Sequence, residues 1–152
     1  MQRLKISTTT FTFLIVFGTL ISITPNFLQT SLAQQITTDL TAPTADSLHG
    51  GDKKGSLEMS VQNGTVIATA EMHVPPANEQ VYEGWLEDKG DASGYSLSLG
   101  KFNQDDTLSV NQTMVNPYTY TVFYVTAEPV DDPDPNPAGV VAGAPLSSPF
   151  GQ

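Results

Sequence analysis

Ser56-Leu57-Glu58-Met59-Ser60-Val61-Gln62-Asn63-Gly64-Thr65-Val66-Ile67-Ala68-Thr69-Ala70-Glu71-Met72-His73-Val74 is the stretch that decides the fold. Before Asn63-Gly64, Leu57, Met59 and Val61 alternate with Ser56, Glu58, Ser60 and Gln62; after it, Val66, Ala68, Ala70, Met72 and Val74 form the apolar set. A period of two marks a half-buried strand, and Asn-Gly suits a two-residue hairpin turn because both positions need positive φ. Pairing across the turn sets Val61 opposite Val66, Met59 opposite Ala68 and Leu57 opposite Ala70, all on one face. The stretch predicts a β-hairpin with one buried side.

The pattern continues toward the C-terminus. Pro75-Pro76-Ala77-Asn78 breaks the strand, and Gln80 to Glu87 resumes with Val81, Tyr82, Trp85 and Leu86, apolar on both faces and so central. Tyr95, Leu97 and Leu99 alternate with serines, Leu108 and Val110 alternate with Ser109 and Asn111, and Tyr118 to Ala127 is an aromatic and β-branched run. Turn signals at Gly90 to Gly94 and Gly100 to Asp106 separate these runs, and no amphipathic helix is predicted. The expected fold is all-β: an antiparallel, immunoglobulin-like β-sandwich of six to seven strands over 56–146, with a tail at 147–152. Pro129 to Gln152 is proline-rich and reads as loop, with Val140-Val141 adding at most a short edge strand.

Upstream of the hairpin the chain reads as address and tether. Arg3 and Lys5 precede the apolar stretch Phe11 to Ile23, and Ser31-Leu32-Ala33 sets small residues where a signal peptidase reads, so 1–33 is expected to be a cleaved signal peptide. The alternative is an uncleaved anchor through residues 8–24, although the run is shorter than a span and is followed by Pro25. Residues 34–55, rich in Thr, Ser, Gly and Asp, read as a flexible lead. The expected location is extracellular or at the cell surface.

Charge and composition narrow the chemistry. Beyond Ala33 the 16 acidic residues face only Lys53, Lys54, Lys89 and Lys101, a net charge of −12 that repels nucleic acid and anionic lipid. The absence of cysteine removes disulfides, thiolate nucleophiles and thiolate metal sites. His49 lies in the lead and His73 on the outward parity of its strand, and no Gly-x-Ser-x-Gly elbow accompanies them, so no catalytic residue and no cofactor are expected. Asp131, Asp132, Asp134 and Asn136 place oxygen donors on near-alternate residues, with Asp132, Asp134 and Asn136 as the candidate calcium ligands. Counted from Asp132, the sixth position is Pro137 rather than glycine and no glutamate stands at the twelfth, so a stiff solvated loop is the expectation. Asn63-Gly64-Thr65 and Asn111-Gln112-Thr113 match the glycosylation acceptor pattern at Asn63 and Asn111, both on solvent positions of the strand scheme.

Three segments share a recognisable order and spacing: Val81-Tyr82-Glu83-Gly84-Trp85-Leu86; Tyr95-Ser96-Leu97-Ser98-Leu99-Gly100-Lys101-Phe102; and Val125-Thr126-Ala127-Glu128-Pro129, followed after a loop by Pro137-Ala138-Gly139-Val140-Val141. Together they resemble the extracytoplasmic C-terminal domain of the anti-sigma-K factor family. The resemblance implies the sandwich fold, an exported location, and structural roles for Tyr82, Trp85, Gly100, Phe102, Glu128, Pro129 and Gly139. The loop after Glu128-Pro129 departs from the family's Gly-Gly-Ser pattern, and no sigma-binding domain is recognised before the sandwich, so the regulation is not carried over. The function expected is a non-enzymatic binding, sensing or regulatory role toward an unknown protein or cell-envelope partner. A tethered structural component is the alternative, and a small hydrolase the remaining one.

Overall fold

The hairpin forms as its alternation requires. In the computed structural model, which describes residues 35–88, 94–147 and 150, strands β2 (Lys53–Gln62) and β3 (Thr65–Met72) pair antiparallel in the register set out above. Asn63 and Gly64 have φ of 52° and 77°, the left-handed backbone this turn needs. The other strands are β1 (Gln35–Thr41), β4 (Gln80–Asp88), β5 (Ser96–Lys101), β6 (Thr107–Thr113), β7 (Tyr120–Pro129) and β8 (Gly139–Pro145).

All eight belong to one antiparallel sheet in the order β5-β4-β7-β8-β1-β2-β3-β6. Its two four-stranded halves are joined between β8 and β1 by one registered pair, Thr41 with Gly143, and fold face to face into a nearly closed barrel. Leu40, Leu57, Met59 and Val66 of one half share a core with Leu86, Phe123, Val125 and Ala142 of the other. The all-β, antiparallel class is as expected; the strand count is eight rather than six to seven.

The extra strand comes from the presumed lead. Within 34–55, Ile36 and Leu40 are buried on one side of β1, which pairs with β2 along its length. The following loop is held by Ala42 N–H on the Asp52 carbonyl at 2.8 Å and by Gly50 N–H on Thr41 Oγ1 at 2.7 Å. The signal-peptide segment lies outside the described residues. Two further differences sit at the C-terminus: β8 is an interior strand between β7 and β1 rather than an edge, and Phe150, placed in a tail, is 1% exposed and tilted against Tyr118. Small side chains make the first possible, since Ala142 and Ala144 are both fully buried against β7.

Trp85 is buried at 5% exposure, yet on the other side of its strand from the interior that holds Leu57, Met59, Ala68 and Met72. Tyr82 and Leu86 of β4 enter the main core, whereas Trp85 joins Val122 and Tyr124 in a second cluster covered by Leu48 and Val140. A strand apolar on both faces serves two cores, and a loop residue supplies the lid of the second.

Candidate functional site

Antiparallel alternation gathers four connections at one end of the barrel: residues 42–52, 73–79, 102–106 and 130–138. The tight Asn63-Gly64 turn lies at the opposite end. Barrel mouths rimmed by loops are frequent ligand sites, because loops vary while the scaffold holds them in place.

Tyr82 stands at the centre of this end. Its ring meets Phe102 edge to face at 5.9 Å and 74°, and its hydroxyl donates to the Val74 carbonyl at 2.9 Å. Burial, reinforced by the Asp106 carboxylate, pushes that hydroxyl above the ordinary tyrosine pKa. On one side of Tyr82 a groove of about 570 Å³ is lined by Pro75, Pro76, Lys101, Phe102 and Val130 among others. On the other, a pocket of about 310 Å³ is lined by Pro43, Lys54, Met72, Val74 and Val140-Val141. Val74 and Val130 are 52% and 53% exposed, so the apolar lining reaches water. Backbone bonds set the rim: Phe102 N–H donates to the Tyr82 carbonyl at 2.8 Å, and Val130 N–H to the Glu79 carbonyl at 3.1 Å. Glu79 and Asp106 both hold left-handed backbone, with φ of 63° and 55°, an uncommon conformation for side-chain-bearing residues.

A buried polar relay fixes the 130–138 loop to the sheet beneath. Trp85 Nε1 donates to Thr126 Oγ1 at 2.8 Å, the Thr126 hydroxyl donates to Glu128 Oε1, and that same oxygen accepts Ala138 N–H at 2.9 Å. Glu128 is 2% exposed and its Oε2 has no hydrogen-bond partner among the described residues. Alongside, Trp85 stacks on Tyr124 at 6.4 Å and 10°, the Tyr124 hydroxyl donates to Ser96 Oγ at 2.7 Å, and Ser98 Oγ donates to Glu83 Oε1.

The family-motif residues fall in three places. Tyr82 and Phe102 line the groove, with Pro129 and Gly139 on the strands that border it; Trp85 and Glu128 form the relay; Gly100, at φ 109°, is the last residue but one of β5 and pairs with Gly84. Asp132, Asp134 and Asn136 are exposed or half-exposed and turn inward on their own loop: Asp132 Oδ1 accepts Asp134 N–H at 2.8 Å, and Asp134 Oδ1 accepts both nitrogens of Asn136 at 3.0 and 2.7 Å. Among the described residues no group of three or more His, Asp or Glu side chains converges as a metal site. Asn63 and Asn111 are exposed, and the hydroxyls of their downstream threonines, Thr65 and Thr113, lie 3.1 Å apart across β3 and β6. His49 is half-buried in the 42–52 loop and His73 is exposed after β3. Pro75-Pro76 reads in the sequence only as a strand break and Val130 only as a lone loop valine, while Val74, set with the buried face of the hairpin by its alternation, lies beyond the end of β3 and is 52% exposed.

No family model, curated protein or solved structure matches the chain.

Proposed function

We propose that this is an exported, non-enzymatic binding domain that takes its ligand at the loop-bearing end of the barrel, in the groove beside Tyr82. The observation that carries the reading is the apolar part of that groove, Pro75, Pro76 and the half-exposed Val130 over the buried Tyr82 and Phe102 rings, with a second exposed valine, Val74, in the pocket across Tyr82. Its size falls within the range of about 300 to 1,000 Å³ usual for ligand pockets. The resemblance to the anti-sigma-K ectodomain supports the same role, because Tyr82 and Phe102 belong to the shared motifs and form the aromatic wall. The signal-like segment before Gln34 supports export.

A neutral solvatochromic dye such as Nile red tests the site without a known ligand. Saturable binding with a blue shift is expected, and Val74→Gln with Val130→Gln should abolish it while leaving the Trp85 emission of the folded domain unchanged. Undiminished dye binding to that double variant would remove the groove as the site. The mass of the protein recovered from its host tests export, with Gln34 as the expected first residue.

A further inference from the structure

Three of the four loops at this end surround the groove, and their charge is one-sided. Residues 73–79, 102–106 and 130–138 hold Glu79, Asp105, Asp106, Asp131, Asp132 and Asp134, six of the chain's 16 acidic residues, and no lysine or arginine. Lys101, on the groove wall at the end of β5, is a single opposing charge, and its ammonium is directed at the Val130 carbonyl 3.3 Å away. Glu79 and Asp131 line an adjoining hollow of about 510 Å³ that shares Val130 with the groove, so carboxylates begin where the apolar lining ends.

We propose that the groove docks a partner protein through a short segment whose apolar side chains are flanked by lysine or arginine. The inference rests on the reading of the groove as the binding site and names what it binds. Pro75, Pro76 and Val130, backed by the buried rings of Tyr82 and Phe102, supply the surface that desolvates the apolar side chains. The six carboxylates supply a negative field that attracts the flanking cations, raises the encounter rate and rejects acidic or phosphorylated competitors. An acidic segment would set like charges against the rim, and a purely polar basic one would leave Pro75 and Val130 in water. Of these, the apolar and basic combination alone matches both parts of the surface.

Fluorescein-labelled short peptides, titrated by anisotropy into the protein as recovered from its host, test this directly. The probes are an alternating Lys-Leu peptide, its Glu-Leu counterpart and a Lys-Ser peptide. The Lys-Leu peptide is expected to bind at least about tenfold more tightly than either control, a difference of about 1.4 kcal/mol. Asp105→Asn with Asp106→Asn, where asparagine tolerates the left-handed backbone of Asp106, should weaken it severalfold and flatten its salt dependence. Val74→Gln with Val130→Gln should weaken it while leaving the Lys-Ser peptide unaffected. Equal binding of Lys-Ser and Lys-Leu would overturn the proposal as diffuse charge attraction, and equal binding of Glu-Leu would overturn the role of the rim. Dye binding in the groove with no peptide binding would overturn the proposed partner class and leave the groove standing as a site. Failure of dye and peptides alike would remove both.

Discussion

The indole N–H of Trp85 donates to Thr126 Oγ1 at 2.8 Å across the β4–β7 pair, and both side chains are buried outside the main core. The Thr126 hydroxyl donates to Glu128 Oε1, and the same oxygen accepts Ala138 N–H from the loop that borders the groove. The sheet's second core is therefore tied to the rim of the candidate site by one threonine hydroxyl. Thr126→Val keeps the shape and removes that hydroxyl, leaving a buried donor on Trp85 and one fewer donor on Glu128. A loss of about 1 to 3 kcal/mol is expected, measured by urea unfolding, with Thr126→Ser recovering most of it.

Gly143 reports on the lid of the same cluster. A Cβ added there would lie 2.5 Å from the Leu48 carbonyl and 3.2 Å from that of Phe123, both backbone atoms that yield little. Gly143→Ala should displace the 42–52 loop, withdraw Leu48 from the Trp85 cluster and shift the emission of this sole tryptophan to the red. An unchanged spectrum in a variant folded to the wild-type level would show that the loop does not cover the ring.

High pH should weaken the fold through its tyrosines. Burial is the largest cause raising the pKa of Tyr82, Tyr120 and Tyr124; nearby carboxylates add to it in all three, and the Ser96 bond opposes it at Tyr124. A raised folded-state pKa means that the neutral phenol is favoured in the native protein. The associated stability is complete below the unfolded value of about 10 and is lost as pH rises through the folded values. Melting temperature is expected to fall from about pH 10 upward, with a smaller fall in Tyr124→Phe.

Much of the sheet was legible because its chemistry is local. Leu57, Met59 and Val61 alternate so strictly that the register across Asn63-Gly64 follows from the turn alone. Strand β1 is hidden in the sequence because Ile36 and Leu40 are separated by threonines and an aspartate, too few apolar positions to stand out from a polar segment. The side taken by Trp85 was not readable either: β4 is apolar on both faces, and its partition between two cores is set by β7, whose Val122 and Tyr124 lie on one side and Phe123 and Val125 on the other. The groove is assembled from loops and strand ends as far apart in sequence as Pro75 and Val130, so the motif resemblance covers Tyr82 and Phe102 but not the loop valine Val130, and the alternation that includes Val74 places it inward although it lies exposed beyond β3.

The most direct measurement of the binding face is amide NMR of isotope-labelled protein titrated with the neutral dye. Shift changes are predicted to concentrate at residues 73–82, 101–106 and 128–131, with the opposite end, at 63–64 and 114–119, unmoved. Changes centred on that opposite end, or spread evenly over the sheet, would contradict the assignment of ligand binding to the loop-bearing mouth beside Tyr82.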